Sequence, residues 1–318
     1  MQQNTILTEY ISQADKKELY DENLKKVLAN KMILAWIMKE CVSEYQDIDV
    51  KDIATKYIEG IPNNGKISVQ TNEYIQGLPN EEVGGKNRYD IRFQAIAPDG
   101  DDFVGLIINL EAQNNFYPGY PLIKRVIYYG GSIISGQYGT VFGNSEYQKI
   151  KKVYGIWICR HAPNFRKNTI TNYYMNEKAI IGNSKQKKQN YDLLSVVMIC
   201  LGNPKDTMQS NVLKLLNTLL AKDVKADEKI DFLQAEFRIP ATITLKKELE
   251  DMCNLSEGIE QVGIEKGVKK GVKKGIKKVV CNTVDIMRDL SVDDNIIAQK
   301  LKEKFKLSDG EIKQLLNS

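Results

Sequence analysis

The sequence predicts an α/β fold in the order helix, strand, strand, strand, helix, strand, followed by a helical C-terminal extension. Three observations carry this reading. Tyr89, Ile91, Phe93, Ala95 and Ala97 are apolar while Asp90, Arg92 and Gln94 between them are polar, the period of two of a half-buried strand. Phe103 to Leu110 is almost continuously apolar, as in a strand covered on both faces. Asn23 to Tyr45 carries a broad apolar helical face that includes Val27, Leu28, Ile33, Leu34, Ile37 and Cys41.

Taken in order, residues 1–22 are polar and charged and predict a short helix or a loosely held arm. In the helix that follows, Ile33, Ile37, Glu40 and Glu44 share one face at steps of three and four. Two readings stand for the glutamates: one of them reaches a functional site, or both end in solvent. Asp47 to Glu59 predicts a further short helix, Pro62 to Gly65 a turn, and Ile67 to Thr71 the first strand. Pro98 to Asp102 then turns the chain between the two strands described above. Folding about Gly100 and Asp101 sets residues whose numbers sum to about 201 opposite one another, which brings Asp90 beside Glu111. Glu111 and Gln113, two apart, point to the same face. Buried acids cost free energy unless they are paired, hydrated or bound to a metal.

Asn114 to Pro121 is a turn whose second proline suits the first position of a helix, and the helix is expected to run to Gly136. Leu122, Ile123, Val126, Ile127, Ile133 and Ile134 form its packing side, with Arg125, Tyr128 and Ser132 aligned elsewhere. Arg125 either meets a phosphate or pairs with a structural acid. Lys152 to Cys159 is a buried strand ending near His161, which is either a base at a strand end or a hydrogen-bonded structural residue. Thr169 to Met175 predicts an edge strand, Lys185 to Lys188 an exposed basic loop, and Leu193 to Leu201 a strand or short helix. Val212 to Leu220 and Glu228 to Phe237 predict helices that cap the domain.

A boundary is expected near residue 250, dividing a main domain (1–250) from an extension (251–318). Within the extension, Gly-Ile-Glu-Lys, Gly-Val-Lys-Lys, Gly-Val-Lys-Lys and Gly-Ile-Lys-Lys follow one another from Gly263 to Lys278. A period of four slips against 3.6, so the apolar stripe winds around the helix. Each glycine costs about 1 kcal/mol relative to alanine, so an isolated helix here should be weak. Three roles remain open: a self-associating or tethering helix, lysines lying along a phosphate backbone, or a solvated linker. Ser308 and Glu311 fit a capping box of a terminal helix.

Composition narrows the function classes. With 45 basic and 41 acidic residues over 318, the net charge of +4 leaves nucleic-acid affinity to local patches. The five scattered cysteines suggest buried thiols of a reducing compartment, not a disulfide frame or a zinc site. No signal peptide is evident, and Met32 to Met38 is too short an apolar run to cross a bilayer, so a cytoplasmic protein without a membrane partner is expected. One histidine excludes mechanisms needing two, and neither a nucleophile elbow nor a phosphate-cradling glycine loop occurs.

The stretches NKMILAWIMKE, RYDIRF, INLEAQNNFYPGYPLIKR and KKVYGIWIC lie between about Lys31 and Phe237. Together they resemble the PD-(D/E)XK nuclease superfamily. More narrowly, the chain is similar to the PD-(D/E)XK nuclease family transposases, the recombination-promoting nuclease group, of which the glycine-lysine repeat is also typical. The resemblance implies a restriction-endonuclease-like αβββαβ core, with a mixed central sheet flanked by helices. It implies a DNA endonuclease linked to recombination, mobile elements or defence, with Asp90 and Glu111 binding Mg²⁺, or Mn²⁺ as a substitute. Glu44 would be the helix acid that some members add to the metal site, and Arg125, Tyr128 and Arg92 would contact DNA. Tyr89 stands where the motif has proline, and Gln113 where it has lysine, which removes a positive charge near the developing phosphorane. Two alternatives follow. One is a nuclease-derived DNA-binding or oligomeric protein without catalysis, associating through its C-terminal extension; the other is a pair of structural acids bound to Arg88 or Arg92.

Overall fold

The alternation of residues 91–97 becomes β1 (Ile91–Asp99), and the apolar run becomes β2 (Asp102–Asn115), with Ile91, Phe93, Ala95 and Ala97 buried. The computed structural model describes residues 16–59, 91–99, 102–305 and 308–316. The two strands pair antiparallel from Ile91↔Leu110 to Asp99↔Asp102, so facing numbers sum to 201 as the turn predicts. Gly100 and Asp101, the expected strand at Ile67 to Thr71, and Asp90 lie outside the described residues. Ile58 bridges Ala95, so the chain already reaches the outer edge of β1 before that segment.

β3 (Lys152–His161) pairs parallel with β2, β5 (Leu194–Cys200) parallel with β3, and β4 (Thr169–Tyr174) antiparallel with β5 at the edge. The result is a mixed five-stranded sheet in the order β1-β2-β3-β5-β4. Parallel neighbours require crossovers, and the one between β2 and β3 contains α4 (Leu122–Ser135). Its Leu122 and Val126 pack with Trp157, Cys159, Val196, Met198 and Cys200, and Ile133 packs with Ile107 and Val153. By strand alternation these sheet residues share one face. Gly155 lies under Val126, whose Cγ1 would be 3.6 Å from an added Cβ.

The opposite face meets the N-terminal helices. Helix α1 (residues 16–28) brings Tyr20 to Arg160, with Arg160 Nη2 donating to the hydroxyl at 3.0 Å. The single helix expected over Asn23 to Tyr45 is two. Asn30 ends the first and caps α2 (Lys31–Cys41), its side chain accepting from the amides of Met32 and Ile33. Asparagine competes with helical bonding through its own side chain, so the apolar periodicity runs on through a break it cannot report. A 3₁₀ turn (Ser43–Tyr45) follows, then α3 (Val50–Asp52) running into a wider π-type turn at Ile53–Tyr57.

Glu40, one of the two glutamates on the α2 stripe, is a helix cap. Its carboxylate accepts from the amides of Asn211 and Val212 and from the Ser210 hydroxyl, at the start of α5 (Asn211–Leu219). A negative charge there satisfies unpaired amides and complements the helix dipole. α6 (Ala226–Phe237) closes against α2, where the Trp36 indole donates to the Phe237 carbonyl at 3.3 Å and the two rings meet edge to face.

The chain divides into two compact units, Met1–Ser256 and Glu257–Ser318. Where a weak helix was expected, α7 runs unbroken over Ile243–Asp289. Its first turns bury Leu245, Leu249 and Met252, and its last turns bury Val280 and Val284. Packing at its ends supplies what the glycine repeat lacks in propensity. In the second unit, Val280 and Val284 pack with Ile297 and Leu301 of α8 (Asp294–Phe305) and Ile312 of α9 (Asp309–Leu316). Arg288 grips Asp294 with two hydrogen bonds at the turn.

Ser210 is the N-cap of α5, its hydroxyl accepting from the Leu213 amide. Replacing Glu40 by alanine removes the second acceptor, which serves Asn211 and Val212, and should lower unfolding stability by about 1–2 kcal/mol in urea titrations, with Glu40→Gln losing less. An unchanged midpoint for Glu40→Ala would refute the capping role.

Candidate functional site

Glu111 and Gln113 lie on the last part of β2, beyond its pairing with described residues of β1. Across the parallel pairing, Glu111 stands opposite Trp157 and Gln113 opposite Cys159. Those rows continue to Met198 and Cys200 of β5 and to Thr171 and Thr169 of β4. The pleat therefore puts Glu111 and Gln113 on the face that α4 covers. Glu111 is only 8% exposed, whereas Gln113 is half-buried. Asp90, the acid expected beside Glu111, precedes Ile91 and is outside the described residues.

Arg125 reaches the same face from the first turn of α4. Its guanidinium lies 5.0 Å from the Tyr129 ring centre and 5.6 Å from that of Trp157, the residue opposite Glu111. Nη1 donates to the Tyr120 hydroxyl at 3.1 Å and Nη2 to the Tyr129 hydroxyl at 3.0 Å. Burial opposes the charge, but the two tyrosine oxygens outweigh it and hold the Arg125 pKa above its usual value. Its Nε and the Trp157 Nε1 are buried without hydrogen-bond partners among the described residues. Of the two readings left open for Arg125, pairing with a structural acid does not occur among those residues.

Sequence reasoning singled out Arg125 and Tyr128 but missed Tyr120, Tyr129 and Trp157. The signal for one of them was present, since Tyr129 follows Arg125 by four residues, the spacing of neighbours on a helix surface. Tyr128 is exposed on α4. Arg92 of β1 pairs with position 109, two residues before Glu111, so alternation places it on the Glu111 face. His161 is exposed at the end of β3, opposite position 115. Partial burial and the cations Arg160 and Lys222 lower its pKa, leaving the imidazole neutral near pH 7.

Glu44 does not join Glu111. It sits in the 3₁₀ turn after α2, where it accepts from the Tyr154 hydroxyl at 2.5 Å and pairs with Lys152 at 3.1 Å. Lys152 and Tyr154 alternate with Val153 and Trp157 along β3, so they project from the other face of the sheet. Lys152 is itself five residues along β3 from the Glu111 partner, about 17 Å at a strand's rise. Its ammonium also binds Asp192 at 2.7 Å, and Lys188 stands 3.6 Å from the same carboxylate oxygen. The other Asp192 oxygen is buried without a partner among the described residues.

Lys152 is desolvated, which works against its charge, but Tyr154, Asp192 and Glu44 together raise its pKa. Burial likewise pushes Glu44 up, and the Tyr154 hydroxyl and Lys152 reverse this and hold it below the ordinary carboxylate range. Helical spacing led to Glu44 as a metal ligand because it reports a shared helix face, not which side of the sheet that face meets. Among the described residues no group of three or more histidine, cysteine, aspartate or glutamate side chains converges as a metal cage. All five cysteines are free, with Cys41, Cys159 and Cys200 buried and Cys253 and Cys281 partly exposed. Nor is any described helix long and apolar enough to cross a membrane.

No family model, curated protein or solved structure matches this chain.

Two measurements check the charge network. Lys152→Ala leaves Glu44 and Asp192 without their shared cation and should cost about 3–5 kcal/mol of unfolding free energy, whereas a loss within error would show the pairs to be solvent-compensated. Glu44 has a depressed folded-state pKa, so its contribution is full above the unfolded carboxylate value and fades as pH falls through the folded one. Stability should therefore drop below about pH 4.5 in the wild type, and the slope there should be shallower in Glu44→Gln.

Proposed function

We propose that this chain is a metal-dependent DNA endonuclease, hydrolysing phosphodiester bonds in a setting of recombination, mobile elements or defence. The reading follows the resemblance to PD-(D/E)XK nuclease family transposases. The observation that carries it is the register of β1, β2 and β3. An antiparallel hairpin continued by a parallel third strand sets Glu111 and Gln113 side by side on one sheet face, beside the α4 arginine. A mixed sheet with helices on both faces supports an α/β core, and the strand expected first, at Ile67 to Thr71, lies outside the described residues.

The donor chemistry fits a hard divalent cation. Glu111 offers a carboxylate and Gln113 a carboxamide oxygen, and Mg²⁺ binds through one or two carboxylates while keeping water and phosphate in its remaining positions. In this reading Asp90 and Glu111 hold Mg²⁺, with Mn²⁺ as a substitute, and Glu44 takes no part. When bound, the ion lowers the pKa of a water and offsets charge at the scissile phosphate. Gln113 orients a water by hydrogen bonding but neither takes its proton nor supplies the positive charge of a lysine. Arg125 supplies a fixed charge for a phosphate, held by tyrosine hydroxyls and aromatic rings. Tyr128 and Arg92 extend the same face as DNA contacts.

A second reading, a nuclease-derived DNA-binding protein that has lost catalysis, is favoured by Gln113 in the lysine position. One experiment separates the two. Supercoiled, nicked, linear and branched DNA is incubated with wild type, Asp90→Ala and Glu111→Ala in Mg²⁺ or Mn²⁺. The nuclease reading expects cutting by wild type that falls by about 100-fold or more in either variant, beyond what loss of a supporting residue causes. Equal cutting by all three sinks it. Salt-sensitive DNA binding without any cutting selects the second reading.

A further inference from the structure

The loop that leaves the candidate site is built from aromatic residues instead of cations. From Ala112 to Ser145 the chain contains no aspartate or glutamate, its only charged residues are Lys124 and Arg125, and seven residues are phenylalanine or tyrosine. Phe116-Tyr117-Pro118-Gly119-Tyr120-Pro121 continues directly from β2, three residues beyond Gln113, and hands over to α4 at Leu122. Its shape is locally determined. Two prolines restrict it, and Gly119 takes a φ of +103°, where a side chain would be strained. Phe116 packs against the core under α4 and meets the Tyr117 ring edge to face at 4.9 Å.

On this loop and the helix that follows it three large rings face solvent: Tyr117 is 59% exposed, Tyr120 45% and, on α4, Tyr128 43%. Arg125 stands among them, bonded to Tyr120 and stacked on Tyr129 and Trp157, with a buried Nε that no described residue satisfies. The Tyr120 hydroxyl accepts from Arg125 and keeps its own proton to donate. The patch thus presents flat apolar faces, a guanidinium and a hydroxyl donor, with no carboxylate in this part of the sequence to repel a phosphate.

We infer that this surface receives an unpaired DNA strand, with bases stacked on the exposed tyrosines and a phosphate on Arg125. Resting on the nuclease reading, the inference names the form of its substrate. A protein that tracks a duplex neutralises roughly six to ten phosphates, and two cations in this segment do not supply such a row. Base faces are hidden inside a duplex and available in a single strand, a flap or a frayed end, where ring stacking provides affinity without sequence readout.

The test uses the full chain with Ca²⁺ in place of Mg²⁺ and follows the fluorescence anisotropy of labelled oligothymidylate and of a blunt hairpin duplex. Wild type should bind the single strand more tightly than the duplex. Tyr120→Ala and Tyr128→Ala should each weaken single-strand binding about tenfold or more, with Tyr128→Phe close to wild type and duplex binding little changed. Equal affinity for the two DNAs, or single-strand binding indifferent to both alanine substitutions, overturns the inference. Cleavage assays of the same proteins with Mg²⁺ tell the two failures apart. Glu111-dependent cutting with tyrosine-independent binding removes only the stacking surface. Tyrosine-dependent binding with no cutting removes only the nuclease.

Discussion

Strand register is the constraint on which the rest of this structure depends. Side chains alternate along a strand, so a slip of one residue would send Glu111 and Gln113 through the sheet and bring Leu110 and Ala112 under α4. The hydrophobic pattern forbids that slip. Ile91, Phe93, Ala95 and Ala97 must be buried on one face, and pairing them with β2 at a sum of 201 settles which face Glu111 occupies. The parallel pairing with β3 then sets Trp157 beside it, and Trp157 in turn lies beneath Arg125. A pattern whose first effect is burial thus also positions the candidate chemistry.

The two faces of the sheet handle buried charge in different ways. On the face toward α1 and α2, Lys152 is neutralised by Glu44 and Asp192, an arrangement in which removing one member leaves the others uncompensated. On the α4 face, Arg125 has tyrosine hydroxyls and aromatic rings as its described neighbours. Among the described residues no carboxylate is bonded to this guanidinium, which is held instead by hydroxyls and rings. That contrast separates a lysine paired with carboxylates on one face from an arginine held by hydroxyls and rings on the other.

Much of the architecture was legible in the residues. The hairpin register followed from a turn between one alternating run and one nearly continuous apolar run, and β3, β4, α4, α5 and α6 lie within a few residues of their expected bounds. The break at Asn30 was not legible, because apolar periodicity continues across a capping residue when both helices face the same core. The unbroken α7 was also hidden. Local propensity argued against it, and its order comes from burial of its two ends.

For the candidate site, the sequence by itself determined that Glu111 and Gln113 share a face and that the segment after them is aromatic and free of acids. Both are properties of spacing and composition. Only the tertiary structure decided that Glu44 belongs to Lys152 on the far face of the sheet, that Glu40 caps α5, and that Arg125 rests on Tyr129 and Trp157. Periodicity says which residues of one element point together. What those residues meet depends on the layering of helices over a pleated sheet, which no single element contains.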